Sequence, residues 1–318
     1  MKISEYLRDI KDKTAITFEI LPPLKGGSIQ TIFDTLDPLM EFKPPFIDVT
    51  YHREEFIYKK RSSGYYEKTS IRKRPGTVGI CFGIMTKYGI EAVPHLICGG
   101  FTKEDTENVL IELNFLNIQN VLVLRGDASK FEGKFIPTEG GHEFAIDLVK
   151  QVSAMNKGIY LDEDIENGIS TNFCIGVAGY PEKHFESPNM LLDLKHTKLK
   201  VDAGAEYIVT QMFFDNSRYF EYVRLCREAG IEVPIIPGLK PITRRYQMNA
   251  LPRNFYIDLP AELVKALERC KSDAEAKAVG IEWCIAQSKE LVAANVPLLH
   301  YYTMGDAATI HHIVSHVI

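Results

Sequence analysis

A chain of 318 residues, 45% hydrophobic and 25% charged, has the balance of a globular protein long enough to bury a sizeable core, which excludes a disordered chain. Its net charge of −5, from 37 basic against 42 acidic residues, argues against nucleic acid as a partner. Met1 to Asp12 is charged and lacks the apolar stretch of a signal peptide, and no run approaches the roughly 18 apolar residues of a membrane span; the expected location is the cytoplasm, with no membrane partner.

Eight short apolar runs follow in chain order, at 15–20, 46–51, 92–98, 120–124, 172–178, 207–212, 233–237 and 298–302. Most are near-continuous rather than alternating, as strands buried on both faces require. Helical patterns lie between them. Thr102 and Asp105 make a capping-box start for a face of Val109, Leu110, Leu113 and Leu116. Tyr219, Tyr222, Val223 and Cys226 form another face, stopped by Gly230, and Ser272 with Glu275 opens a long helix through Leu291. This alternation predicts an α/β fold: a single (β/α)8 TIM barrel over 1–318, with two loop insertions at about 52–76 and 155–170. The six cysteines form no C-x-x-C pair and read as reduced core residues.

The first insertion holds eight basic residues against three acidic ones, interleaved with Tyr58, Tyr65 and Tyr66. A nucleic-acid patch is one reading; a mobile, solvated loop after the second strand is the expected one. Placed at a barrel mouth, it would attract an anionic substrate tail or cofactor phosphates. The second insertion is acidic and contains glycine.

In a parallel barrel the C-terminal strand ends share one mouth, so the polar residues closing each run converge there. Glu19 ends an apolar strand, where burial would raise its pKa and make a proton donor near neutral pH; an ion pair with a neighbouring Arg or Lys is the even alternative. Arg125-Gly126-Asp127 follows the strongest strand and places a donor fork and a carboxylate beside a residue that permits close backbone approach. Tyr180 to His184 offers a stacking ring with Lys183 and His184 for phosphate. Asp193, His196 and Lys200 fall at i, i+3 and i+7 of one helical face, either a salt-bridge ladder or a ribose and phosphate contact. No two glycines are separated by one residue, so a G-x-G-x-x-G dinucleotide fingerprint is absent, as are a Walker loop, H-E-x-x-H and G-x-S-x-G. His311, His312 and His316 read as a polar tail helix, and no metal site is expected.

These residues together resemble the methylenetetrahydrofolate reductase family. The resemblance runs from about Ile16 to Thr303 and rests on nine short motifs in order: F-E-x-x-P-P from Phe18, V-T-Y from Val49, P-H-L-x-C from Pro94, L-R-G-D from Leu124, A-G-Y-P-E-x-H from Ala178, D-L-K-H…K-V-D-A-G-A from Asp193, T-Q-x-F-F from Thr210, P-G-x-x-P-I from Pro237 and H-x-Y-T from His300. It implies a barrel holding FAD at its mouth, reduced by NADH or NADPH as co-substrate, after which methylenetetrahydrofolate takes the same flavin face and leaves as methyltetrahydrofolate for methionine synthesis. Glu19 matches the family's general acid, which protonates the bridging folate nitrogen. Asp127 matches a catalytic residue at the flavin's pyrimidine edge. Gln211, Gln247 and Tyr302 match substrate contacts. Thr50, Tyr51, His95, Arg125, Gly126, Asp127, Phe144, Ala145, Tyr180, His184, Asp193, His196 and Lys200 fall on flavin-binding positions. Family members usually form homo-oligomers, which sets the expectation here.

Three departures stand out. Met304-Gly305-Asp306 replaces a Leu-Asn-Arg whose arginine contacts substrate, leaving that contact missing or supplied elsewhere, for instance by the basic insertion. Leu251 stands where some members stack a phenylalanine. His52-Arg53-Glu54-Glu55 replaces a Gly-rich stretch. Allosteric control by a C-terminal regulatory domain is not expected. The competing readings are a flavin-free barrel that binds a pterin and transfers a methyl group, and a non-catalytic binding protein using the basic insertion. Net acidity and the Glu19, Asp127 and Gln211 set argue against the last. NADH is not distinguished from NADPH.

Overall fold

The structure is a computed structural model that describes residues 1–10, 13–128 and 133–318; Lys11 and Asp12, at the end of the charged N-terminal stretch, lie outside them. Its strands are β1 Ala15–Ile20, β2 Phe46–Val49, β3 Glu55–Lys60, β4 Tyr66–Ile71, β5 Glu91–Ile97, β6 Asn120–Leu124, β7 Cys174–Gly179, β8 Tyr207–Thr210, β9 Ile235–Ile236, β10 Gly238–Leu239 and β11 Leu298–Tyr302. Nine of them form one parallel sheet in the order β10-β11-β1-β2-β5-β6-β7-β8-β9. The two ends of that order are halves of one strand parted by Pro237, which has no N–H to give the ladder. β9 pairs with β8 and β10 pairs with β11, so the sheet closes into the expected eight-stranded barrel.

Between the strands run α2 Gln30–Leu36, α3 Val78–Tyr88, α4 Lys103–Phe115, α5 Ala145–Met155, α6 Met190–Asp202, α7 Asn216–Glu228, α8 Gln247–Phe255, α9 Ala261–Arg269, α10 Asp273–Ala293 and α11 Ala307–Val314. The sequence signals for their ends hold. Thr102 and Asp105 cap α4 reciprocally, Ser272 accepts from the Glu275 amide at the start of α10, and Gly230 follows α7 with φ +72. One apolar layer packs strands against helices and contains Leu110, Leu113, Tyr219, Tyr222 and Cys226. A second fills the barrel interior with Phe46, Val93, Leu122, Cys174, Tyr207 and Leu298. The preceding helix α1, Ile3–Asp9, plugs the N-terminal end of the barrel with Ile3 and Leu7. Asn120 fixes that plug, accepting from the Ile3 amide at 2.9 Å and donating to the Met1 carbonyl at 2.9 Å. All six cysteines are buried and unpaired, in keeping with the core reading.

The first insertion departs from expectation. It is a two-stranded antiparallel hairpin of β3 and β4 rather than a loop without secondary structure. Two six-residue runs with aromatic and β-branched residues flank a tight connection, where the Arg61 amide donates to Tyr65 O and Gly64 sits at φ +85. The hairpin stem is tied to the loop after β1, with the Lys25 amide on Lys73 O at 2.7 Å and Arg74 on the Pro22 carbonyl. The second insertion is held by Tyr160, which donates to Ile169 O, and by the Leu161 amide on buried Glu107.

Candidate active site

Register decides which side chains meet. Glu19 on β1 lies beside Asp48 on β2 and Tyr302 on β11, and Thr17 lies beside His300. Side chains two residues apart share a face, so Thr17, Glu19, Asp48, His95, His300 and Tyr302 gather above the apolar layer of the interior. His95 Nε2 lies 3.6 Å from Glu19 Oε2 and 3.5 Å from Asp48 Oδ1. Asp48 Oδ2 lies 3.8 Å from His300 Nδ1, and that nitrogen is 2.8 Å from Thr17 Oγ1. Among the described residues, Glu19 is therefore neighboured by an imidazole and a second carboxyl rather than by the Arg or Lys of the ion-pair reading.

Burial dominates the electrostatics of this group. It pushes the Glu19 carboxyl up to about 7, with Asp48 adding to the rise and His95 opposing it. It pushes Asp48 up to about 6, against the pull of His300. Both imidazoles are held below the usual histidine range by the same desolvation. Glu19 keeps 13% side-chain exposure while Asp48 has none, so only Glu19 opens toward a ligand.

The other side of the mouth is built from β2, β6, β7 and α6. Thr50 Oγ1 and Asp193 Oδ2 are buried polar atoms with no hydrogen-bond partner among the described residues. The other Asp193 oxygen accepts from Ser187 Oγ at 2.8 Å. Lys200, one face of α6 away, donates to Ala178 O at 2.7 Å, and burial lowers its ammonium to about 8. Tyr180 packs edge-on against His184 at 4.8 Å. Arg125 pairs with Glu186 at 2.6 Å and lies over the Phe135 ring, while Gly126 takes φ +85 and Asp127 is exposed. Tyr51 receives the guanidinium of Arg72 from the hairpin stem.

The remaining predicted residues are spread more widely. Gln247 and Tyr302 line one cleft of about 480 Å³ together with Lys240, Lys277 and Asp306. Gln247 Oε1 accepts from the Thr243 and Arg244 amides, and Gln211 Oε1 accepts from the next amide in the chain. Tyr302 donates to Thr210 O at 2.6 Å, an approach that only glycine at 238 permits, since a Cβ there would lie 2.4 Å from the tyrosine hydroxyl. Phe144 is the exposed residue before α5, which Ala145 opens. His196 is also exposed, unlike buried Asp193 and half-buried Lys200 on the same helix. Asp306 caps α11 and pairs with Lys277 at 3.0 Å. A second cleft of similar size, about 520 Å³, lies between α4 and α5, and of the predicted site residues none lines it.

Sequence reasoning passed over Asp48 and His300 as functional residues. The signal was present as a carboxylate inside Phe46-Ile47-Asp48-Val49 and an imidazole inside Leu298-Leu299-His300-Tyr301. A charged group within an otherwise apolar strand is expensive unless the fold has a use for it.

The family profile described as methylenetetrahydrofolate reductase matches residues 2–317. The chain belongs to the methylenetetrahydrofolate reductase family. It is 30% identical to the 5,10-methylenetetrahydrofolate reductase of Escherichia coli, over 96% of this chain and 91% of that one. It is 32% identical to methylenetetrahydrofolate reductase (NADH) 1 of Arabidopsis thaliana over 96% of this chain, but spans only 49% of that relative, about half its length. Among solved structures, an uncharacterized protein from Clostridium thermocellum that binds two copies of 5-methyl-5,6,7,8-tetrahydrofolic acid shares the fold, with a TM-score of 0.54 over 99% of both chains at 11% identity. Among the described residues, no helix is long and apolar enough to cross a membrane.

Proposed function

We propose that this protein reduces 5,10-methylenetetrahydrofolate to 5-methyltetrahydrofolate with electrons from NADH or NADPH, carried by FAD in two separate half-reactions. The observation that carries this reading is Glu19: a carboxyl held near pH 7 by burial, partly open at the barrel mouth, in a member of this family. Such a group keeps its proton in about half of the molecules at neutral pH and is acidic enough to give it away.

The residues fit a flavin dinucleotide. Thr50 and Asp193 have buried polar atoms without partners, and Lys200 has two further N–H donors beyond the one on Ala178. With Arg125, Gly126, Tyr180 and His184 they form a set of anion-binding, hydroxyl-binding and stacking groups suited to pyrophosphate, ribose and a heterocycle. Bound there, FAD supplies the two-electron carrier between the nicotinamide and the folate. Glu19 gives its proton to the bridging folate nitrogen, which opens the five-membered ring. His95 then stabilises the carboxylate left behind, at a nitrogen-to-oxygen distance of 3.6 Å. Gln211, Gln247 and Tyr302 would orient the pterin, and Asp127 would set a carboxylate beside the bound heterocycle.

The visible spectrum of the purified protein tests this. A flavin spectrum that bleaches with NADH or NADPH without oxygen, and recovers with methylenetetrahydrofolate, is the expected result. Glu19→Gln should bleach as before and recover about 10²- to 10⁴-fold more slowly, the range for loss of a general acid. A protein that stays colourless with excess FAD would overturn the reading and favour the flavin-free pterin methyltransferase.

A further inference from the structure

The Asp48 carboxylate is buried in the barrel interior, and among the described residues neither of its oxygens has a hydrogen-bond donor. A bare carboxylate in that position costs several kcal/mol and adds nothing to the fold that an apolar residue would not. Its neighbours show what it does instead. The same nitrogen of His95, Nε2, faces Glu19 at 3.6 Å and Asp48 at 3.5 Å, and it too has no formed hydrogen bond. One imidazole nitrogen carries one N–H, which serves one carboxylate at a time. Glu19 and Asp48 therefore compete for it, and His300 holds Asp48 from the far side at 3.8 Å.

We propose that Asp48 is a positioning residue for the acid step: it draws the His95 N–H away from Glu19 and, with its own negative charge, keeps the Glu19 proton in place until substrate takes it. The proposal rests on the reading of Glu19 as the general acid and extends it to a residue that never touches substrate. Once Glu19 has given up its proton, its new charge competes for the same N–H, and His95 swings its hydrogen bond toward the mouth. The exchange moves one hydrogen bond by less than a side-chain length and needs no backbone change.

The titratable groups around this pair come from every packed element. They are His95 on β5, with His52 beside it; His300 and Tyr302 on β11; Tyr207 on β8; and Cys81 on α3. Burial drives Cys81, Tyr207 and Tyr302 far above neutral, so the two carboxyls and the imidazoles alone exchange protons in the working range. They titrate as a coupled set.

Asp48→Asn removes the charge and releases the His95 N–H to Glu19, and both changes lower the Glu19 pKa. The folate half-reaction needs protonated Glu19, so its descending limb should move to lower pH. Rates should match wild type below both limbs and fall roughly tenfold per unit of displacement above them. The nucleotide half-reaction should keep its pH profile. His300→Gln should act in the opposite sense, because Asp48 is left with His95 as its one imidazole partner and takes the N–H more fully; this variant keeps the proposal testable where Asp48→Asn does not fold. An infrared pH titration of the protonated-carboxyl band, on protein without substrate, reads the coupling without the reaction. The Glu19 band should titrate at lower pH in Asp48→Asn than in wild type. Identical titration of Glu19 in wild type and both variants, or an equal loss of rate at every pH, would overturn the proposal. A Glu19→Gln variant that still recovers at full speed would instead remove the acid assignment itself, while leaving the infrared result to decide the coupling.

Discussion

The 52–76 segment carries eight cations and three carboxylates that are exposed or half-buried, whereas the barrel interior carries two carboxyls and two imidazoles almost out of water. On the hairpin, charge is neutralised locally: Arg61 pairs with Glu67, and Lys73 with Glu55 at 2.5 Å, all of them about half exposed. Such pairs contribute at most about 1 kcal/mol each and are screened by salt. In the interior, the contacts are longer, from 3.5 to 3.8 Å, and burial, against the pull of the imidazoles, displaces the carboxyls to about 6 and about 7. Four sparse groups in a dry barrel alter chemistry more than the crowded charges of the hairpin. Dielectric surroundings, not charge density, make the functional residue.

The sharpest break of that comparison comes from pH. Glu19 has a raised pKa, so its proton is present below about 7 and lost above it. Recovery of the flavin spectrum by folate should fall close to tenfold per pH unit above that value, while bleaching by nucleotide stays flatter. A folate step indifferent to pH between 6 and 9 would place Glu19 on the same footing as a hairpin carboxylate.

The barrel's dryness itself can be attacked next. Tyr207 lies across the interior because Gly176 leaves room for it; a Cβ at 176 would stand 2.2 Å from the phenol ring. Gly176→Ala should therefore destabilise the fold by about 1–3 kcal/mol, the usual range for overpacking, as read by chemical denaturation. A glycine of the hairpin turn, Gly64, has no neighbour that a Cβ would meet, though its φ of +85 still disfavours alanine. A larger effect at 64 than at 176 would deny that interior packing is the stronger constraint.

How far the sequence carried this contrast follows from the same physics. Strands buried on both faces leave unbroken apolar runs, so the bounds of β1, β6 and β11 coincide with runs legible in the sequence. Pro237 inside the seventh run was legible as a residue, but its splitting of one strand between two ladder partners needed three-dimensional pairing. The hairpin looks like a loop in the sequence because its strands have no apolar face: alternation fails as a signal when both faces meet solvent. Glu19 stood out at a strand end, where polar residues are sought in barrels. Asp48 sits only one residue from the end of its strand and was passed over, since its importance lies in facing His95 and His300, which come from runs more than 40 and 200 residues away. Spacing along the chain holds no trace of that meeting.

The smallest effect expected is on the hairpin, and it is the one that tests the outer half of the comparison. Lys59 and Lys60 are exposed on β3, and the stem below them is anchored to the loop after β1, close to the end of the strand that carries Glu19. If these ammonium groups attract an anionic folate tail, they do so through solvent, at a distance that ions screen. Replacing both with Gln should raise the apparent folate KM by no more than about threefold at low ionic strength, and the difference should vanish near 0.15 M salt, where the screening length is about 8 Å. Stability should change by less than about 0.5 kcal/mol, as for surface substitutions generally. An unchanged KM at low salt would remove the steering role. A loss of turnover that persists at high salt would be more informative still, because a solvated charge cannot act that way; it would mean that the hairpin closes over the mouth and shares the interior's low dielectric.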